Sequence, residues 1–422
     1  TNISSLDTQI GEKYMAPKVL AANINRKPID SLPNPEIQNL VGGNNDFAFS
    51  LFQVLNQDDP TENLVFSPYS ISLALAMTYG GARGETAQEM REVLHITQSD
   101  DVYNESWNNL DQWLLNRADD PYDNGDGYKL RITNAVWVQQ DYPFIDSYLE
   151  QLASYFGAGL QTTDFQQFPE ESRISINNWV AEETKEKITD LIPKDAIHSL
   201  TRMALINAIY LNAPWQIPFD EENTSEAVFY LLDGSNIEVS MMSQTQDVGY
   251  YADETVKMVE LPYYGGQLSM VLVMPTDNTF LDFSEQFSNQ SFSDLMSDKN
   301  FGKVKISLPR FSLEEDFNLN EMLENLGMPQ AFNPDQADFS GMESSKELYI
   351  DKVIHKAFIE VDEAGTEAAA ATAVLMAAKG FNPDEPANIT FDHPFFFIIR
   401  DRDSGTILFM GQVKYPKDQL SL

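Results

Sequence analysis

The sequence predicts an α+β domain, and its own order of elements carries that prediction. Helical periodicity opens the body, apolar β-branched runs fill the middle, and two strand-like runs joined by a turn close it. No alternation of strand and helix points to βαβ units. At 422 residues, with 42% hydrophobic and 11% aromatic side chains, the chain has ample apolar material for one large core.

Residues 1–43 read differently from the rest. Asp7, Glu12, Asp30 and Glu36 balance Lys13, Lys18, Arg26 and Lys27, so the segment is neutral and all the excess negative charge lies beyond it. The run NRKPIDSLPNPEIQNLVGGNND, with Pro28, Pro33, Pro35 and the pair Gly42 and Gly43, reads as an extended linker. This divides the chain into an N-terminal extension, 1–43, and a body, 44–422. The extension is read either as a flexible tail or as a segment docked through apolar residues such as Val19, Leu20 and Ile24.

The body opens with NDFAFSLFQVL, apolar at helical spacing. Ser67 and Pro68 give a cap followed by proline in the first turn, and Gly80 and Gly81 stop the helix they begin. Thr86 through Glu89 has the pattern of a capping box for the next helix. Strands are predicted in AVWVQQ, MALINAIYL, LSMVLVMP and KVKISLP, whose unbroken apolar runs suit burial on both faces. In FFFIIRDRDSGTILFMGQV, the turn residues Asp403, Ser404 and Gly405 mark a hairpin.

Composition excludes several functions. The net charge of −38, from 27 basic and 65 acidic residues, repels phosphate backbones, heparin-like chains and anionic lipid. No apolar run approaches the length of a membrane span. With no cysteine there is no disulfide and no thiolate chemistry. The four histidines, His95, His198, His355 and His393, form no HExxH, and GxSxG, GxGxxG and phosphate-loop motifs are absent. The chain is therefore read as no enzyme, with no metal and no cofactor. The chain begins at Thr1 with neither an initiator Met nor a basic-then-apolar leader, which is read as a signal already removed or never present. An extracellular or periplasmic location is the expectation, a cytoplasmic one being equally compatible with the lack of cysteine.

The stretch EVDEAGTEAAAATAVLMAAKGFNP, residues 360–383, admits two local readings. Alanine and Met favour a helix stopped by Gly380. Equally, Thr366, Ala368, Ala370, Thr372, Val374 and Met376 form an uncharged alternating face that a strand could bury, with Glu367 on the other face.

In HKAFIEVDEAGTEAAAATA the sequence resembles the serpins, the serine-protease-inhibitor superfamily, and the resemblance continues in NLVFSPYSISLALAMTYGGARGET, INNWVAEETKEKITDLIP, LINAIYLNAPWQIPFD, VELPYYGG, LGMPQAFNPDQADFSGM and HPFFFIIRDRDSGTILFMGQV. It implies a serpin fold: a large central β-sheet, two further sheets, about eight to nine helices and an exposed reactive-centre loop over about 363–390. It implies a metastable, monomeric inhibitor whose cleaved loop inserts into the large sheet and holds a serine protease as a covalent acyl-enzyme. The loop hinge it assigns comprises Glu363, Ala364, Gly365, Thr366, Glu367, Ala368, Ala369, Ala370, Ala371 and Thr372. The family register places the scissile bond between Lys379 and Gly380, which calls for a trypsin-like protease. Met376 or Ala378 is the alternative site, for an elastase-like or subtilisin-like enzyme. Ser67, Ser70, Asn207 and His355 match the shutter beneath the sheet and are expected to hydrogen-bond one another. Trp215, Arg310 and Glu363 match the breach at its top, with Arg310 paired to Glu363. Ala364 departs from the family, many inhibitory members having an acid there, and the distal run FNPDEPANITF is long. A serpin-fold binding protein or chaperone that is cleaved without insertion is the alternative class.

Overall fold

The computed structural model describes residues 18–29, 34–118, 128–276, 279–366 and 386–417. Helix α1 (Pro35–Asp58) is capped by the Asn34 side chain, which accepts from the Ile37 amide, and has proline in its first turn. The chain is thus helical from Pro35, where an extended linker was expected up to Gly43. Of the two glycines Gly43 serves packing: a Cβ there would come within 2.8 Å of the His95 carbonyl oxygen, while Gly42 faces open space.

Helix α2 (Pro68–Tyr79) has Ser67 as its cap, with Ser67 Oγ accepting from the Ser70 amide at 3.2 Å, and every residue of it is buried. Helix α3 (Gly84–Val93) corrects the capping-box expectation, because it starts at Gly84 without a side-chain cap. Thr86 Oγ1 and the Glu89 carboxylate instead accept from the Asp338 and Gln330 amides, fastening a later segment of the chain. Helices α4 (Asp100–Ala118), α5 (Asp146–Gln151), α6 (Pro169–Glu183), α7 (Phe280–Gln286), α8 (Asn289–Asp298) and α9 (Asn320–Leu326) complete the α-helices among the described residues, beside a π-helical turn at Leu152–Phe156 and two short 3-10 turns. No described helix is long and apolar enough to cross a membrane.

The large sheet runs β1 (Lys18–Leu20), β4 (Leu160–Thr163), β3 (Lys129–Gln139), β5 (Met203–Pro214), β13 (Gly365–Thr366), β12 (Lys352–Val361) and β11 (Phe311–Asn318). The remaining strands run β14 (Ala387–Thr390), β10 (Asn300–Pro309), β7 (Asn236–Ala252), β8 (Val256–Pro262), β9 (Leu268–Pro275), β15 (Phe395–Asp401), β16 (Ile407–Val413) and β2 (Leu64–Phe66), with β6 (Ser225–Tyr230) on β7. They are hydrogen-bonded into one continuous nine-stranded sheet, in which the long strand β7 joins the parts expected as two further sheets, pairing with β6 through Asn236–Met241, with β10 through Met241–Tyr250 and with β8 through Gly249–Ala252. The four predicted strands fall in β3, β5, β9 and β10, and the C-terminal hairpin is β15 and β16.

Burial explains the unbroken apolar run of β5. Met203, Leu205, Ile209 and Leu211 face the main core, whereas Ala204, Ile206 and Ala208 pack under α6 with Trp137, Ile176 and Val180. A sheet covered on both faces leaves no position for alternating polarity.

The N-terminal extension is docked where it is described. Lys18–Leu20 adds an antiparallel edge strand to β4. Arg26 pairs with Asp111 at 2.8 Å and donates to Asn108 Oδ1, and the Lys27 amide donates to the Ser154 carbonyl. A Cβ at Gly159 would meet Ala21, Leu20 and Val19 at 2.7–2.9 Å, so that glycine is a seat for the strap. The apolar side chains expected to carry docking, Val19, Leu20 and Ile24, remain exposed; backbone pairing and the Arg26 and Lys27 contacts carry it.

Candidate functional site

The large sheet carries the site at its upper end. Strand β12 ends at Val361, and the chain reverses through Asp362–Gly365, where the Asp362 carboxylate accepts from the amides of Ala364 (2.8 Å) and Gly365 (3.0 Å). Strand β13 then enters between β5 and β12: Thr366 pairs with Val361 on one side and Ala213 on the other. Below it the gap is closed, with β5 and β12 paired directly from Lys352↔Ala204 to Ala357↔Ile209. The sheet is therefore parted at the top and shut beneath.

Small residues make this entry sterically feasible. A Cβ at Gly365 would lie 2.2 Å from the Ala213 carbonyl oxygen and 2.6 Å from Pro214 Cα. Thr366 is fully buried, its hydroxyl 2.6 Å from that of Tyr263, whose ring stacks on Trp215 at 4.6 Å between centroids. Trp215 in turn donates from its indole to the Asp362 carbonyl and from its amide to the Ala364 carbonyl.

Arg310 grips Glu363 with three hydrogen bonds of 2.7–2.9 Å, and the Thr224 hydroxyl donates to the same carboxylate. Burial works to raise the Glu363 pKa, but the Arg310 and Thr224 hydrogen bonds outweigh it and hold the carboxyl below its ordinary value. Because the Glu363 side chain is only 7% exposed, this pair is stronger than a solvent-exposed one, on the order of 2 kcal/mol from charge-assisted hydrogen bonds. Glu363, Gly365 and Thr366 are buried and Ala387–Thr390 is a paired strand, so the exposed segment is shorter than 363–390 at both ends.

Ser67, Ser70, Asn207 and His355 converge beneath the sheet, all fully buried. His355 Nε2 accepts from the Ser67 amide at 3.0 Å, and Asn207 lies opposite His355 in the strand register. The expected mutual network is only partly present. Ser70 Oγ donates to Asn134 Oδ1 at 2.6 Å, a partner on β3 that the sequence did not single out, while Asn207 Nδ2 reaches only the Ile354 carbonyl at 3.5 Å. Asn207 Oδ1 and His355 Nδ1 have no partner among the described residues. Burial, with no compensating acceptor, pushes the His355 pKa down to about 3, so the ring is neutral.

Strand β14 anchors the downstream end of the segment, in parallel register with β10 from Val304↔Ala387 to Ser307↔Thr390. Glu367, Ala368, Ala369, Ala370, Ala371, Thr372, Met376, Ala378, Lys379 and Gly380 lie outside the described residues. Among the described residues, no group of carboxylates and histidines is arranged to hold a metal. Asp362, Thr224 and Tyr263 had no sequence signal of their own, since each matters only through what the fold brings beside it.

The described residues thus build an α+β body whose large sheet is entered at its top by a two-residue strand. A sequence model of the serpin (serine protease inhibitor) family matches residues 42–416, and the chain belongs to that family. An uncharacterized serpin-like protein of Methanosarcina acetivorans is 35% identical over 396 residues, covering 92% of this chain and 91% of its own. The leukocyte elastase inhibitor of Homo sapiens is 36% identical over 389 residues, covering 90% of this chain and all of its own. The crystal structure of the thermophilic serpin tengpin in its native state superposes with a TM-score of 0.83 at 30% identity, covering 95% of this chain and all of that one.

Proposed function

We propose that the protein is a suicide-substrate inhibitor of trypsin-like serine proteases, cleaved after Lys379. The observation that carries this reading is β13: the sheet already holds the first two residues of an incoming strand between β5 and β12.

Continuing that register shows what the cleaved loop would meet. Strand β5 offers about ten further places below Ala213, down to Met203. Thr366 faces the core, so Ala368, Ala370 and Thr372 would follow it inward as small or weakly polar residues. Six residues beyond Thr366, Thr372 would arrive opposite both Asn207 and His355, bringing a hydroxyl to the two polar atoms that lack partners among the described residues.

The chemistry follows from that geometry. The protease serine attacks the Lys379 carbonyl, the bond to Gly380 breaks, the serine proton passes through the protease histidine to the departing Gly380 amine, and an ester joins Lys379 to the protease. Insertion then carries Lys379 on the order of 40 Å, from thirteen residues at ~3.3 Å each. About ten new ladder positions at ~1 kcal/mol each give roughly 10 kcal/mol to distort the oxyanion hole before water releases the ester.

Lysine at the cleaved position favours an acidic specificity pocket. The test is calorimetric: cleaving the loop with a protease that the protein does not inhibit should raise the unfolding temperature sharply as the strand inserts. A cleaved protein that melts with the intact one would oppose insertion.

A further inference from the structure

Strand β10 presents an outward face at odds with the charge of the protein. Val304 and Ile306 point into the core, while the alternate residues Phe301, Lys303 and Lys305 point out, and Phe301 is 79% exposed. Phe301 pairs with Gly249 on β7, and that missing side chain leaves open a groove of about 330 Å³ between Phe301 and Ile217. On its floor the buried Glu260 meets Lys299 at 2.5 Å, Arg400 at 3.5 Å and Arg402 at 3.6 Å, three cations to one carboxylate. Asp247, opposite Lys303 on β7, offsets one further charge. Along this stretch the cations Lys299, Lys303, Lys305, Arg400 and Arg402 face the carboxylates Asp247 and Glu260, on a chain of net charge −38.

Its position ties it to the loop. Lys305 lies opposite Asn388 on β14, the downstream anchor, and Ile217 follows two residues after Trp215, which holds the upstream anchor through Ala364. A protease engaged on the loop would be brought over this surface.

We propose that the groove and the lysine stripe are a second contact surface for the target protease, taking an acidic, apolar-tipped surface loop of that enzyme. The inference rests on the inhibitor reading above. Phe301 supplies the exposed aromatic anchor that interface energetics favour, and the lysines supply steering, which acts on association rate more than on the trapping that follows.

Anionic and cationic trypsin are suitable probes, since they share a specificity pocket and differ in surface charge. The double reversal Lys303→Glu with Lys305→Glu should slow association with anionic trypsin about 5-fold at low salt, with the difference vanishing at high salt and the stoichiometry of inhibition unchanged. Phe301→Ala should slow it about 3-fold at any salt. The same reversal at Lys185 and Lys194, exposed residues after α6, should change the rate by less than about 2-fold. Equal effects from the two pairs, or none from either, would overturn the proposal and leave only net charge. If neither trypsin forms a covalent complex with the unaltered protein, the inhibitor reading fails and this inference fails with it.

Discussion

Replacing Arg26 with Ala tests whether the N-terminal extension is part of the folded body. The Arg26 guanidinium contacts Asp111 Oδ2 at 2.8 Å, Asn108 Oδ1 at 3.0 Å and the Tyr155 carbonyl at 3.1 Å. The Asp111 side chain is 7% exposed and that of Arg26 19%. Removing one partner of a fully buried pair costs about 3–5 kcal/mol, and breaking an exposed one costs about 0–1 kcal/mol. Asp111 keeps its hydrogen bond from Tyr69 at 3.0 Å, and Arg26 is partly hydrated, so a loss of about 2–3 kcal/mol is expected. Urea unfolding would report it as a lower midpoint with an unchanged slope. Gly159→Ala is the companion variant, because its nearest new contacts, Ala21, Leu20 and Val19, all belong to the strap. Both variants should open the segment before α1 to limited proteolysis. Unfolding and proteolysis indistinguishable from the parent protein in both would refute the docking argument.

Three further outcomes are expected. Thr366→Arg places a long cation where the hydroxyl now sits 2.6 Å from Tyr263, so the loop should still be cleaved by trypsin but without trapping it, seen as a stoichiometry of inhibition rising severalfold; undiminished inhibition would exclude entry through β13. Lys379→Ala should abolish inhibition of trypsin while leaving the fold and its melting curve unchanged, and retained trypsin inhibition would place the scissile bond elsewhere. His355 is neutral in the fold, with its pKa lowered to about 3 by burial, against about 6.5 when unfolded. Its contribution is therefore complete above pH 6.5 and is lost as pH falls toward 3, at up to about 1.4 kcal/mol per unit. Unfolding free energies at pH 7 and pH 5 should differ by about 2 kcal/mol from this group, and His355→Gln should remove that difference; an equal pH dependence in the variant would rule the histidine out as its source.

Much of the fold was legible because its signals are local. The Ser67 cap, the apolar runs of β5 and β9 and the hairpin at Asp403–Gly405 each declare themselves within a few residues. The segment 35–43 misled because proline and paired glycines are punctuation in most contexts, whereas here Pro35 starts a helix and Gly43 lets that helix approach His95. Thr86 and Glu89 have a capping pattern but spend their hydrogen bonds on distant amides. At the site, Arg310 and Glu363 were found through resemblance, and the structure brings them together. Asn134 was missed because its role arises from strand register, which places it across from Asn207 and beside Ser70. Docking was one of two readings of the extension, and the side chains named for it, Val19, Leu20 and Ile24, stay exposed while Arg26, Lys27 and the backbone of Lys18–Leu20 make the contacts.

The most direct measurement mixes the protein with trypsin, resolves the mixture on a denaturing gel and sequences the released C-terminal fragment. The mechanism predicts a covalent complex of the two chains and a fragment beginning at Gly380. Complete cleavage with free, active trypsin and no complex would contradict it, and would show that the strand begun at Thr366 does not outrun hydrolysis.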